Sequence, residues 1–161
     1  MVDASPCIGL ARIGQLRLLP ELFSRVLVAR SVVNELWSGA RDDRAWEIVR
    51  YENVEIHPGR ARVGLAPPAL SEADLDTIGL ARTQKDVDVV IVDERAARKY
   101  AKSLGLMVMG TVGVVALATS KGLLDEAKPW FEKLVEAGFR LDDELLDRVL
   151  ASLGEAPLRG K

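Results

Sequence analysis

The sequence predicts an α/β protein with a three-layer α/β/α fold, in which helices cover a central, mostly parallel sheet of about four to five strands. Strand-like and helix-like segments alternate along nearly the whole chain, as in folds built on a parallel sheet. Residues 87–92 are apolar except at Asp88 and are flanked by charges, which is typical of a buried parallel strand. With 48% hydrophobic and 29% charged residues, the composition fits a packed core.

Length, charge and cysteine content predict a single domain and exclude several classes of protein. We expect one domain over residues 1–161, with helices from about residue 125 to 153 packed on it. The net charge of −2 excludes a polybasic nucleic-acid coat protein. Cys7 and His57 are the single cysteine and histidine, which argues against a disulfide scaffold and a zinc site. With no long apolar run and no leader-like start, we expect a cytoplasmic protein.

The first elements are expected to be short. Residues 1–2 can form only the end of a strand, and an apolar helix over residues 6–13 is stopped by Gly14. A turn begins at Leu18, and residues 25–28 form a short strand with two β-branched residues.

The next segment is expected to lie at the edge of the sheet. Ser31 is predicted to cap a helix, and a polar helix follows over about residues 42–51. Residues 54–56 are predicted to be an edge strand. Residues 58–68, rich in Gly, Pro and Arg, are predicted to be the one long loop.

The second half alternates more regularly. Ser71 is predicted to cap a helix that reaches about Thr83, and a helix over residues 95–104 ends at Gly105. The remaining predicted elements are a short strand at 107–109, an apolar helix at 111–119 closed by Gly122, and amphipathic helices near 125–137 and 142–153.

Acidic residues follow two of the predicted strands. In an open parallel sheet, ligands bind outside the carboxyl ends of the strands. Asp3 follows the first strand, and Asp93 and Glu94 follow the strand at 87–92. Two acids held there repel each other unless a cation lies between them, and hard cations such as Mg²⁺ or Mn²⁺ prefer carboxylate oxygens. The alternative is that each acid caps the helix that follows it.

Helix geometry ranks the acids of the helix that begins after Ser71. Its apolar stripe consists of Leu75, Ile78 and Ala81. Asp74 falls inside this stripe, whereas Asp76 and Glu72 fall about 160° and 120° from its centre and are expected to be solvated. A buried carboxylate needs a partner, and Asp74 can find one as the acid of a capping box with Ser71 or as a metal ligand.

Glu35 lies on the flank of another apolar stripe, in Val32-Val33-Asn34-Glu35-Leu36. Taken alone, it is either a surface glutamate or a ligand.

The order of these acids resembles a PIN domain. The segments that carry the resemblance are Val2-Asp3-Ala4-Ser5, Val32-Val33-x-Glu35-Leu36, Leu70-Ser71-x-x-Asp74 continuing to Ile78-x-Leu80-Ala81, and Val90-Ile91-Val92-Asp93-Glu94. Residues 98–114, with Gly110-Thr111, are similar to the PIN-related branch called DUF3368. The resemblance extends from Asp3 to about Leu150.

The resemblance implies a ribonuclease that uses Mg²⁺ or Mn²⁺ to hydrolyse phosphodiester bonds of single-stranded RNA. Carried over by position, the catalytic, metal-binding acids would be Asp3, Glu35, Asp74 and Asp93. Ser5 and Thr111 would donate hydrogen bonds to those carboxylates. Glu94 can be matched instead of Asp93, and Asp76 instead of Asp74.

Relatives of this kind are often dimeric toxins of toxin–antitoxin pairs, so a homodimer and a small antitoxin partner are expected. Some PIN domains bind without cutting. The alternative function is therefore a catalytically inactive scaffold that binds RNA or protein.

Basic residues lie on the helix after Asp93. Arg95, Arg98 and Lys102 are the candidate RNA-binding residues, and Arg98 and Lys102 share a helix face. The alternative is a solvated helix face. Arg60 and Arg62 add charge in the long loop. Aromatic residues make up only 5% of the chain, so we expect limited stacking on bases.

The remaining distinctive residues are expected to be structural. Trp37, Trp46 and Trp130 are predicted to pack the core or a dimer contact. Cys7, among apolar residues, is predicted to be buried and inert. His57 is predicted to be an edge or loop residue.

Overall fold

A computed structural model describes residues 1–39, 44–61 and 64–158 of the chain. Arg62 and the start of the helix predicted over residues 42–51 lie outside the described residues.

The strands form two parallel pairs. β1 (Val26–Ala29) pairs with β2 (Val54–His57) in the register Val26 to Val54, and β3 (Val90–Ile91) pairs with β4 (Val108–Met109) in the register Val90 to Val108. Val2 joins the two pairs through single parallel bridges to Val28 and Ile91. The α/β class is confirmed, but the structure has two short two-stranded sheets instead of the predicted sheet of four to five strands.

The short first segment explains this difference. Val2 N–H donates to Leu27 O and Asp3 N–H donates to Ile91 O, both at 3.0 Å, so the segment lies between β1 and β3. Within this segment only Val2 forms bridges, one to each neighbour, so the segment is not a strand of either ladder. The strand predicted at residues 87–92 has only two residues in the structure. Its neighbouring segments are short, and strand hydrogen bonds cannot continue where the backbone has no partner.

Eight α-helices and one 3₁₀ helix complete the described part of the chain. They are α1 (Ala4–Arg12), α2 (Leu18–Leu22), α3 (Arg30–Ser38), the 3₁₀ helix Ala45–Arg50, α4 (Glu72–Thr83), α5 (Arg95–Ser103), α6 (Thr111–Ser120), α7 (Lys128–Glu136) and α8 (Asp143–Ser152). None of these helices combines the length and apolar character that crossing a membrane requires.

Most helix ends follow the predicted signals. Ser71 caps α4, and the positive φ angles of Gly14, Gly105 and Gly122 lie just beyond α1, α5 and α6. The prediction for Ser31 is wrong. α3 already begins at Arg30 with Ala29 at its N-cap, so Ser31 lies inside the helix, where its buried hydroxyl has no partner in the part of the chain that the structure describes.

α4 is buried on nearly all sides. It contacts α3, α5, β1 and β3, and the chain at Ala61 comes so close to Gly79 that a Cβ there would lie 1.7 Å from the Ala61 carbonyl oxygen. Asp76, predicted to be solvated, is only 1% exposed, whereas Leu75 is half-buried. A single apolar stripe predicts which side chains are buried only when the opposite side of the helix faces solvent. In α4, residues 73–81 are all buried or half-buried.

One hydrophobic core holds the described elements together. Its fully buried members include Val2, Val28 and Phe131, and Cys7 is buried in it as predicted. Trp46 and Trp130 pack against this core. Trp37 does not belong to it, since it is 47% exposed and stacks on Trp46 with 4.9 Å between ring centroids.

Candidate active site

Asp3 and Asp93 leave the sheet next to each other. Asp3 N–H donates to the carbonyl of Ile91, and Asp93 follows two residues later, beyond the end of β3. Both residues therefore stand at the carboxyl ends of adjacent parallel segments, where such folds bind ligands. Asp3 is 4% exposed and Asp93 is half-buried.

The Asp3 carboxyl group is held in an environment that opposes its ionisation. Burial, the nearby charge of Asp74 and the weaker effect of Glu35 together raise the pKa of Asp3 to about 8, although the backbone N–H of Ala4 acts in the opposite direction. The Thr77 hydroxyl donates to Asp3 Oδ1 at 3.4 Å. In the absence of a cation, the site therefore favours a protonated Asp3.

Asp74 caps the start of α4 and also lies close enough to Asp3 and Glu35 to affect their pKa values. Its Oδ2 accepts from Ser71 N–H at 2.9 Å, and Ser71 Oγ accepts from Asp74 N–H at 3.1 Å, so the predicted capping box is confirmed. The pKa of Glu35 is also raised, first by burial and then by Asp74. Asp3, Glu35 and Asp74 thus come from three different segments to form one electrostatically linked cluster.

Asp93 is fixed by the residue that begins α6. Thr111 donates from its backbone N–H to Asp93 Oδ1 at 2.7 Å and from its hydroxyl to Oδ2 at 2.5 Å. Gly110 makes room for this arrangement, because a Cβ there would lie 2.9 Å from Asp93 Oδ1 and 3.2 Å from Arg98 Nη1. Both carboxylate oxygens of Asp93 are therefore oriented by Thr111.

Glu94 points to a different partner. Its carboxylate accepts from Ala97 N–H at 2.9 Å and caps α5, and the residue is exposed. The capping alternative therefore describes Glu94, whereas Asp93 is oriented by Thr111.

Two other predicted residues have no hydrogen bond to the acids. Asp76 Oδ1 is buried without a partner among the described residues. Ser5 is half-buried in the first turn of α1, beside Asp3. Sequence reasoning missed Thr77 and Gly110 as supports of Asp3 and Asp93. The small-residue segment Gly110-Thr111 was a signal for the second of these, but nothing local marked Thr77.

The donor set suits a hard divalent cation in its chemistry. Carboxylate oxygens are the ligands that Mg²⁺ and Mn²⁺ prefer, and a cation would relieve the repulsion that opposes ionisation of Asp3. The distances between these side chains do not yet suit a metal ion. In the ranges that the structure describes, no three Asp, Glu, His or Cys side chains are close enough together to hold one ion. Binding would therefore require side-chain adjustment.

A basic surface adjoins Asp93. Arg95, Arg98, Lys99 and Lys102 of α5 line an open groove of about 440 Å³ that ends at Asp93. In the long loop, Arg60 is paired with Glu72 at 2.7 Å. The cations that line the groove at Asp93 therefore belong to α5.

A family model described as DUF3368, PIN domain, matches residues 1–155, which is nearly the full chain. No curated protein and no solved structure shows significant similarity to the sequence.

Proposed function

The chain belongs to the DUF3368 family of PIN domains, and from that premise we propose that it is a divalent-metal-dependent endoribonuclease that cleaves single-stranded RNA. PIN domains are generally nucleases, which makes hydrolysis of a phosphodiester the reaction to test. The observation that carries the proposal is the pair of buried acids Asp3 and Asp74, with exposed Glu35 electrostatically linked to them and Asp93 beside them, next to a groove lined by cations.

Four acids would supply the metal ligands, and two of them are held by threonine side chains. Asp3, Glu35, Asp74 and Asp93 would hold Mg²⁺ or Mn²⁺, which when bound lowers the pKa of water and neutralises charge on the reacting phosphate. Thr111 holds both oxygens of Asp93, and Thr77 contacts Asp3. These hydrogen bonds restrict the orientation of two of the four carboxylates. Asp76 stays an alternative ligand because its buried Oδ1 has no hydrogen-bond partner within residues 1–39, 44–61 and 64–158.

The cations of α5 would position the substrate. Arg95, Arg98 and Lys102 line the groove that leads to Asp93 and can neutralise successive phosphates of an RNA strand. Because the net charge of the chain is −2, this attraction is local, and binding should weaken steeply as salt rises.

Cleavage of an end-labelled single-stranded RNA tests the proposal. We expect cleavage with Mn²⁺ or Mg²⁺, none with EDTA, and at least a hundredfold slower cleavage by Asp3→Asn or Asp93→Asn. The matched control is Asp125→Asn, which changes an exposed aspartate between α6 and α7 and should cleave normally.

The outcomes separate the two functions suggested by the family. Cleavage that survives EDTA or Asp3→Asn contradicts the proposal. A folded wild-type protein that binds RNA without cutting it supports the non-catalytic scaffold instead.

Three further predictions need their own tests: the homodimer, the toxin role with its antitoxin partner, and the cytoplasmic location. Light scattering distinguishes the predicted homodimer from a monomer. Growth arrest on induction in bacterial cells, with rescue by a neighbouring small gene, tests the toxin role and the antitoxin partner. Cell fractionation tests the cytoplasmic location.

A further inference from the structure

A second cavity, of about 480 Å³, opens beside Asp93. It lies between the β4–α6 segment and the connection from α7 to α8. Its apolar wall consists of Met109, Leu134, Phe139, Leu141, Leu145 and Val149. This volume falls within the range of about 300–1,000 Å³ that is usual for small-molecule sites.

Phe139 is a fixed part of this wall. Its ring lies against α1, where a Cβ at Gly9 would be 3.1 Å from the Phe139 ring, and the Arg12 guanidinium lies 5.8 Å from the ring centroid. The ring is half-buried, so part of it remains open to the cavity. A ring held in this way offers a stacking surface at little cost in side-chain entropy.

Cations surround the entrance. Arg95, Arg98 and Arg140 line the cavity, and within the described ranges none of the three forms an ion pair. Two acids also line the cavity, where Asp93 accepts from Thr111 N–H and Asp142 caps α8 by accepting from Glu144 N–H at 2.9 Å, so three guanidinium groups face two carboxylates. An apolar interior with unpaired guanidinium groups at its entrance is complementary to a base attached to a phosphate.

We propose that this cavity binds one unpaired base of single-stranded RNA, next to a phosphate neutralised by Arg95 and Arg98, and thereby sets the base preference of the enzyme. The inference rests on the proposed function, because the cavity is continuous with the candidate active site through Asp93 and Thr111. A base can enter such a cavity only when it is unstacked, so the site selects single strands over duplexes.

The test measures the contribution of single bases to binding. Labelled 12-nucleotide RNAs, intact or with one abasic nucleotide at each position in turn, are titrated with the protein in EDTA, and fluorescence anisotropy reports the affinity. We expect one abasic position to weaken binding by wild-type protein about tenfold, as for loss of one stacked base.

Two variants connect this effect to the cavity. Leu145→Glu places a carboxylate in the apolar wall, and Arg140→Ala removes an exposed cation from the entrance without disturbing the core. Both should weaken binding of the intact RNA and reduce the abasic effect below about twofold. Arg148→Ala, an exposed position on α8 outside the cavity, is the control and should behave like wild type.

The results separate the two proposals. If wild-type protein binds no RNA in EDTA and cleaves none with Mn²⁺, both fail. If RNA binds and Lys102→Ala, in the groove but outside the cavity, weakens it, but neither the abasic scan nor Arg140→Ala has an effect, the cavity inference fails while the proposed function stands. In that case the cavity serves another ligand, such as a protein partner.

Discussion

Asp3 shows how burial sets the chemistry of a single carboxyl group. The residue is 4% exposed and lies near Asp74 and Glu35, so its pKa is raised to about 8. The folded protein therefore binds a proton there that the unfolded chain, with a pKa near 4, has already lost. The stability associated with this proton is present at low pH and is lost as pH rises from about 4 towards 8.

We predict that Asp3→Asn stabilises the metal-free protein at high pH. In EDTA at pH 8, its free energy of unfolding should exceed that of the wild type by at least about 1 kcal/mol, because the buried charge is gone. At pH 4.5 the difference should shrink towards zero. Urea unfolding at several pH values measures both.

A comparison with the wild type is necessary because a second group titrates in the opposite sense. Burial lowers the pKa of the Met1 amino group to about 6, which favours the folded state as pH rises from about 6 to 8. This effect is common to both proteins and cancels in the difference. Asp125→Asn is the exposed control, and a difference that does not vary with pH contradicts the assignment.

At the scale of elements, α4 depends on close approach by the long loop. Ala61 packs against Gly79 so tightly that no side chain fits, and Arg60 of the same loop pairs with Glu72 at the start of the helix. The loop thus covers a face of α4 that the sequence pattern left to solvent. Because α4 carries Asp74 and Thr77, displacement of the loop would reach the acid cluster.

We predict that Gly79→Ala destabilises the protein by about 1–3 kcal/mol, because its Cβ would overlap the Ala61 backbone. The sign is informative, since alanine normally stabilises a helix interior by about 1 kcal/mol relative to glycine. Thermal unfolding measures the change. Gly39→Ala is the control, with φ of −72° and no Cβ contact closer than 3.4 Å, and should be close to neutral. A stabilised Gly79→Ala would show that the loop does not pack on α4.

At the scale of the whole molecule, one core connects elements that are far apart in sequence. The first residues lie between β1 and β3, and Phe131 of α7 and Leu146 and Leu150 of α8 are buried in the same hydrophobic cluster. The family match over residues 1–155 also includes the C-terminal helices. Both observations support our proposal that residues 1–161 form a single domain.

We predict that the chain unfolds in one cooperative transition. Far-UV circular dichroism and tryptophan fluorescence should give the same urea midpoint, because Trp46 and Trp130 pack against the core that the helices share. The comparison is best made at pH 7 in EDTA, where no bound metal adds stability. Separate midpoints for the two signals would contradict the single domain.

The sequence by itself determined the features that depend on neighbouring residues. The α/β alternation, the Ser71 capping box and the helix ends before Gly105 and Gly122 follow from local backbone and side-chain chemistry, and all are present in the structure. The order of the acids along the chain was also sufficient to indicate the family, which the match over residues 1–155 confirms.

Only the tertiary structure decided which surfaces are covered. The burial of Asp76, the exposure of Trp37 and the lengths of the strands depend on elements that pack from distant parts of the chain. The space at Gly110 for Asp93, and the contact of Thr77 with Asp3 across 74 positions of sequence, are likewise invisible to a local pattern. A periodicity reports how a segment alternates between apolar and polar residues, whereas burial is set by every element that packs against it.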